Sequence, residues 1–245
     1  MSPKRVSRRE FLRGTGVLFA AAAAGSSNFL EGCFGVPGKT SSPPTTITQL
    51  PGIIYSPDTL RINRIPPGQQ ETSAWPQLQA GGVPAVNLDD WTFTISGEVE
   101  KEVILSYGEF IALPTDKVFS DIHCVTRWTR LNNLWEGLGA QLVTNLVKLK
   151  PAAKYVIVKA EGGFTTNLTI SDFLQKDVLF ASKQDEAPLT PEHGWPVRLV
   201  VPRLYFWKSA KWVTGIEFSA IDQPGFWETR GYNNHGDPWK EERFS

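Results

Sequence analysis

Between residues 91 and 99 apolar and polar side chains alternate, with Phe93 and Ile95 on one side and Thr92 and Thr94 on the other. A period of two predicts a half-buried strand, and Gly97 marks its end. Residues 106–113 open with Ser106 and Glu109 at capping-box spacing and stop before Pro114, which predicts a short helix. Residues 118–122 read as a strand that delivers Cys124 at its end. Leu138, Leu142, Leu146 and Leu149 recur at helical spacing, with Lys148 and Lys150 in the last turn and Pro151 as the stop. Residues 155–159, 178–181, 197–201 and 212–218 are runs of strand length. Strands and helices alternate without a regular βαβ rhythm, so the predicted fold class is α+β, with mixed, mostly antiparallel sheets and helices. Neither G-x-G-x-x-G nor G-x-x-x-x-G-K-[ST] occurs, which removes the two commonest nucleotide cradles.

Composition narrows the function classes. The chain has 245 residues, 41% of them apolar and nine of them Trp, enough to build a core and to exclude global disorder. Twenty-one Gly and 18 Pro favour strands and turns over a helical bundle. Lys plus Arg and Asp plus Glu each total 25, and this zero balance argues against nucleic acid as a partner. Two cysteines and three histidines exclude a disulfide scaffold and a zinc ribbon.

The N-terminus reads as an address. Lys4, Arg5, Arg8, Arg9 and Arg13 precede an apolar run over 17–24, too short for the roughly 20 residues of a spanning helix. The string Ser7-Arg8-Arg9-Glu10-Phe11-Leu12-Arg13 resembles a twin-arginine export signal. That route serves proteins exported already folded, which favours a cofactor inserted beforehand. Leu30-Glu31-Gly32-Cys33 resembles a lipobox, which implies a lipidated Cys33 as membrane anchor. Glu31 departs from the usual small residue, and cleavage near Ala24 is the alternative. The predicted division is a signal at 1–32, a tether rich in Pro, Ser and Thr at 33–55 and a catalytic domain at 56–245. The expected location is the periplasm or the outer face of the membrane.

Once the signal is removed, Cys124 is the domain's lone thiol. Three readings compete for it: a small buried hydrophobe, a nucleophile and a soft-metal ligand. His123 and Arg127 lie close by in the string Asp121-Ile122-His123-Cys124-Val125-Thr126-Arg127-Trp128. Adjacent residues of an extended segment point opposite ways, so His123 is poorly placed as a base for Cys124. Arg198 interrupts an apolar strand and requires a partner.

His123-Cys124-Val125-Thr126-Arg127-Trp128 resembles the molybdenum-ligating segment of the sulfite-oxidase-fold molybdopterin oxidoreductases. So do Glu192-His193-Gly194-Trp195-Pro196-Val197-Arg198 with Tyr205-Phe206-Trp207-Lys208-Ser209-Ala210-Lys211-Trp212, and the tail Pro224-Gly225-Phe226-Trp227-Glu228 with Gly231-Tyr232-Asn233-Asn234-His235. The likeness spans roughly residues 55–245. It implies a molybdenum–molybdopterin cofactor in its mononucleotide-free form, with Cys124 as the metal ligand. It implies cofactor contacts at Asn63, Thr166 (or its neighbour Thr165), His193, Arg198, Ser209, Ala210 and Lys211. Arg198 suits a phosphate bidentately, Lys211 as a point charge, and the backbone near Ser209 as an anion nest. Arg127 is a candidate to hold the substrate. The implied reaction moves an oxygen atom to or from a small sulfur- or nitrogen-oxide substrate. Electrons are exchanged with a separate partner, a haem protein or a quinone-linked membrane subunit. Two other readings are a cofactor-free exported binding lipoprotein that retains the fold, and a hydrolase using Cys124 and His193.

Overall fold

The computed structural model describes residues 48–245. The expected twin-arginine signal, the expected lipobox with Cys33 and the first part of the expected tether lie outside the described residues. Within them the chain runs β1 (Ile54–Tyr55), β2 (Gln70–Glu71), β3 (Thr92–Gly97), β4 (Val103–Ser106), α1 (Tyr107–Ile111), β5 (Asp116–His123) and β6 (Trp128–Gly139). It continues α2 (Ala140–Asn145), β7 (Tyr155–Ala160), β8 (Thr165–Thr169), α3 (Ile170–Phe173), β9 (Leu179–Gln184), β10 (Ala187–Pro188), β11 (Arg198–Val200) and β12 (Val213–Ser219). No helix among the described residues is long and apolar enough to cross a membrane.

Two sheets result. One follows the order β1-β5-β6-β9-β10, with β11 also on β9 and β2 also on β6; the other is β4-β3-β12-β7-β8. Three pairings are parallel, β1 with β5, β2 with β6 and β3 with β12, and the rest are antiparallel. The α+β reading therefore holds. Ile54 and Tyr55, placed by sequence at the end of the tether, pair with Val118 and Phe119.

The alternation at 92–97 places Phe93 and Ile95 fully inside, against Val156, Val158, Ile216 and Phe218 of the same sheet. Phe180 and Leu199 of the first sheet complete this larger core. The period of two turns their neighbours the other way. Leu179, Ala181 and Val200 join a second cluster with Val118, Ile122 and Trp135, walled by Trp75, Trp128, Trp195 and Phe206. Arg198 shares the parity of Val200 and pairs with Ala181 in register, so it too faces this aromatic side.

The leucine spacing overstated the second helix. Leu138 belongs to β6, and Leu149 bridges Val99. The helix itself covers only Ala140–Asn145. β6 prevails because β5 and β9 take up its backbone groups on both edges. Its polar stretch hid it in the sequence. Asn133 is buried because its amide donates to Ser120 O and Arg130 O, while Trp135 Nε1 donates to Ser120 Oγ across the β5 bulge. The predicted capping box is present: Ser106 Oγ accepts from Glu109 N, and the Glu109 carboxylate accepts from Ser106 N.

Candidate functional site

A cavity of about 450 Å³ opens on the aromatic side of the first sheet. Cys124, one residue past the end of β5, lines it and is buried. The chain reverses at once: Cys124 N–H donates to Trp128 O at 2.8 Å, and Arg127 N–H donates to Cys124 O at 3.0 Å with Arg127 at φ +71°. Thr126 Oγ1 donates to the sulfur at 3.1 Å. Burial pushes the Cys124 thiol up, opposed by the Thr126 hydroxyl, the amides of Thr126 and Val125, and the charge of Arg243. A thiol held protonated makes a poor free nucleophile but binds a soft metal that displaces its proton.

No histidine is free to serve it. His123 is fully buried, with Nδ1 on Thr129 Oγ1 at 2.9 Å and Nε2 facing Asp58 at 3.7 Å. His193 accepts at Nδ1 from Thr190 Oγ1 at 3.0 Å and donates from Nε2 to Trp75 O at 3.3 Å. His235 contacts Glu242 and Asp172. This geometry opposes the hydrolase reading. Among the described residues no group of three or more His, Cys, Asp or Glu can hold a metal. A single sulfur on a cavity of this size fits a metal that arrives with its other ligands attached.

The cationic end fits an anion. Arg198 is 2% exposed and donates to His193 O at 3.0 Å, Ser209 O at 2.9 Å and Leu199 O at 3.4 Å. It forms no ion pair with a carboxylate of the described residues, and desolvation lowers its pKa to about 9. Lys211 donates to Gln79 Oε1 at 2.7 Å and Glu192 O at 2.8 Å. Burial first, then Arg198, lower its pKa to about 7. Among the described residues neither cation is in an ion pair, although Glu161 also lines the cavity and the charge of Glu192 reaches Lys211; a phosphate would offset the positive charge that remains. Gly194 lets them approach: it sits at φ +106°, and a Cβ there would lie 3.0 Å from Arg198 Cβ and 3.1 Å from Lys211 Cβ. His193 stacks on Trp75, ring centres 3.7 Å apart. Burial, then the charges of Arg198 and Lys211, lower its pKa, which keeps the ring neutral.

His193, Arg198, Ser209, Ala210 and Lys211 thus converge on the cavity with Cys124. Ser209 acts there as scaffold: its N–H donates to Phe206 O and its Oγ accepts from Val201 N, so its amide is not a free donor for an anion nest.

Three expected residues lie elsewhere. Asn63 is exposed, and its Oδ1 accepts from Ile65 N at 3.1 Å in a local turn. Thr166 is buried, but its hydroxyl donates to Glu228 Oε1 at 3.3 Å instead of lining the cavity; Thr165 also stays out of it. Arg127 does not line the cavity either. Its left-handed backbone turns the side chain to Gly68, where Glu241 and Arg243 converge.

Sequence reading missed other wall residues. Trp75 and Gln79 come from an irregular loop with no periodic signal. Tyr232 lines the cavity within the electrostatic reach of Cys124. Burial first and Cys124 second hold its phenol above the usual range. Lys208, beside the cavity turn, is buried rather than solvated, in an ion pair with Glu228 at 2.6 Å.

Comparison with known proteins agrees with this architecture. The family model described as the oxidoreductase molybdopterin-binding domain matches residues 80–227. "Uncharacterized oxidoreductase YuiH" of Bacillus subtilis is 45% identical over 183 residues, covering 74% of this chain and 92% of that protein. The protein-methionine-sulfoxide reductase catalytic subunit MsrP of Campylobacter jejuni is 31% identical over 173 residues, 61% of this chain and 56% of the relative. The solved sulfane dehydrogenase SoxCD of Paracoccus pantotrophus superposes with a TM-score of 0.57 at 18% identity, over 66% of this chain and 47% of its own, a likeness of fold. A family model spanning more than half of the chain, together with a near relative matched over most of both lengths, makes this chain a member of the molybdopterin-binding oxidoreductases of sulfite-oxidase fold.

Proposed function

We propose that the chain reduces a neutral S-oxide or N-oxide at a molybdenum–molybdopterin held in the Cys124 cavity. The observation that carries this is the placement of Cys124 on one cavity with the unpaired cations Arg198 and Lys211. Cys124 would ligate the metal; Arg198 and Lys211 would hold the terminal phosphate, and neutral His193 the pterin edge. One phosphate-sized cationic end in a cavity of about 450 Å³ favours the mononucleotide-free form. Bound there, the cofactor supplies the two-electron change that accompanies oxygen-atom transfer.

The chain's own residues support the substrate class. Arg198 and Lys211 are the only cations lining the cavity among the described residues, and both are assigned to the cofactor. Tyr232, Phe226 and Trp227 are left for the substrate, and this aromatic wall excludes water and favours a neutral dipole over an inorganic oxyanion. The phenol of Tyr232, kept protonated, can donate to the substrate oxygen. In balance, the S-oxide takes two electrons and two protons and leaves as thioether and water. The electrons come singly from a separate redox partner, a haem protein or a quinone-linked membrane subunit. Export by the twin-arginine route, with or without lipidation of Cys33, places that exchange outside the cytoplasm. The name of the MsrP relative supports an S-oxide substrate.

The test is metal and pterin content of protein produced with its export route intact. About one molybdenum per chain is expected, with Cys124→Ser losing turnover while keeping its fold. Metal-free native protein would sink the proposal.

A further inference from the structure

We infer that residues 75–84 form a strap that opens to admit the pterin, with Trp75 and Gln79 as its latches. The inference rests on the cavity reading proposed above, in which Arg198 and Lys211 hold the cofactor's phosphate. The strap contains no helix or strand, and none of its residues is buried. It nevertheless supplies much of the cavity wall, from Trp75 through Gln79 and Gly82 to Pro84. Among the described residues no backbone group of 75–84 is hydrogen-bonded to another backbone group. Two bonds to side chains anchor it instead. Trp75 O accepts from His193 Nε2 at 3.3 Å, and Gln79 Oε1 accepts from Lys211 Nζ at 2.7 Å.

The rest of the cationic end is held by its backbone. Arg198 belongs to β11, which is laddered to β9. Leu199 N–H donates to Ala210 O at 2.8 Å beside the Ser209 turn, and His193 N–H donates to Thr190 O at 3.0 Å. A segment anchored by two side-chain bonds opens at far lower cost than a laddered strand, so the strap is the part of this wall that moves. Gly81 provides the pivot: it sits at φ +81°, and a Cβ there or at Gly82 would meet nothing within 4 Å. The Gln79 latch also responds to occupancy. The Lys211 ammonium has three donors; Gln79 Oε1 and Glu192 O take two, and the third remains for a phosphate oxygen. A phosphate on Lys211 therefore leaves this latch closed and fixes the ammonium that holds it.

The test uses the full-length protein, either loaded or produced without pterin synthesis. Chymotrypsin cuts after Leu78, which is 51% exposed but must leave the wall to enter a protease. That nick should be about tenfold slower in loaded protein. Gln79→Leu removes one latch, and Gly81→Ala strains the closed turn without meeting any atom. Each should speed both pterin uptake and pterin release about tenfold, as expected for one lost hydrogen bond or one strained residue. A lost binding contact would speed release alone. A nick equally fast with and without pterin, or variants that take up pterin at the wild-type rate, overturns the inference. Wild-type protein that takes up no pterin defeats the cavity reading instead. Inorganic phosphate then decides on the strap by itself: it should slow the nick after Leu78 in wild type and not in Lys211→Met, and a nick that phosphate leaves unchanged overturns the strap as well.

Discussion

The guanidinium carbon of Arg198 lies 4.2 Å from the ring centre of Phe206, while its three hydrogen bonds all end on backbone carbonyls. The carbonyls satisfy the donors but leave the charge uncompensated. Such a planar fork cannot be replaced by an ammonium. Arg198→Lys should therefore keep the fold and lose pterin, with content down by about tenfold, the effect of roughly 1.4 kcal/mol in binding. Pterin fluorescence after oxidation measures it, and wild-type content in the variant would remove Arg198 from the phosphate site.

Lys211 should give the cofactor-free protein a pH signature. Its folded pKa of about 7 lies below the ordinary lysine value, so between pH 7 and 10 the unfolded chain binds more protons than the folded one. Stability from this group rises with pH across that window. Lys211→Met should flatten the rise in Tm between pH 6.5 and 8.5, a change of about 2–4 °C. Added phosphate should flatten it as well, since an anion restores the charged form.

Lys208 and Glu228 test how the cavity turn is held. Both side chains are at most 1% exposed, and Lys208 Nζ also donates to Asn167 O, Asn167 Oδ1 and Asn234 O. Lys208→Met strands the Glu228 carboxylate, a loss of about 3–5 kcal/mol. For a domain of this size that lowers Tm by about 10 °C or more. Lys208→Met with Glu228→Gln should recover part of the loss. A single variant as stable as wild type would show that the pair does not anchor the turn.

Arg127 marks where sequence reading of the site ran out, and the reason is conformational. Position three after the thiol placed it near the metal in the sequence, but a positive φ within the reversal turned its side chain outward. Cys124 and Arg198 were legible because each breaks a local rule, a lone thiol and a charge in an apolar strand, whereas His193 and Lys211 were legible only through the family resemblance of the strings that hold them. Trp75, Gln79 and Tyr232 were not, since loop residues carry no periodicity and reach the cavity only through tertiary packing. The same holds for the fold. Alternation exposed β3 and the capping box exposed α1, but β6 owes its extent to pairing on two edges, and a leucine repeat masked its end. Arg127→Ala should accordingly leave the substrate KM within about twofold of wild type, at unchanged metal content, because an exposed charge contributes little. A large rise in KM with metal retained would return Arg127 to the substrate site.

His235 should act opposite to Lys211 in pH. Asp172 first, and Glu242 after it, raise its pKa to about 9 against the opposing cost of burial. The folded value exceeds the unfolded one, so the stabilisation is complete below about pH 6.5 and disappears as pH rises through 9. The side chain is 41% exposed, and solvent screening brings the contribution down to about 1 kcal/mol. His235→Gln should lower Tm by about 2–4 °C at pH 6 and leave it unchanged at pH 10. The two pH signatures separate in a four-way comparison of wild type, Lys211→Met, His235→Gln and the double variant, because the residues share no partner and their effects should add. A His235→Gln loss that is equal at both pH values would assign the residue a packing role and not an ionic one.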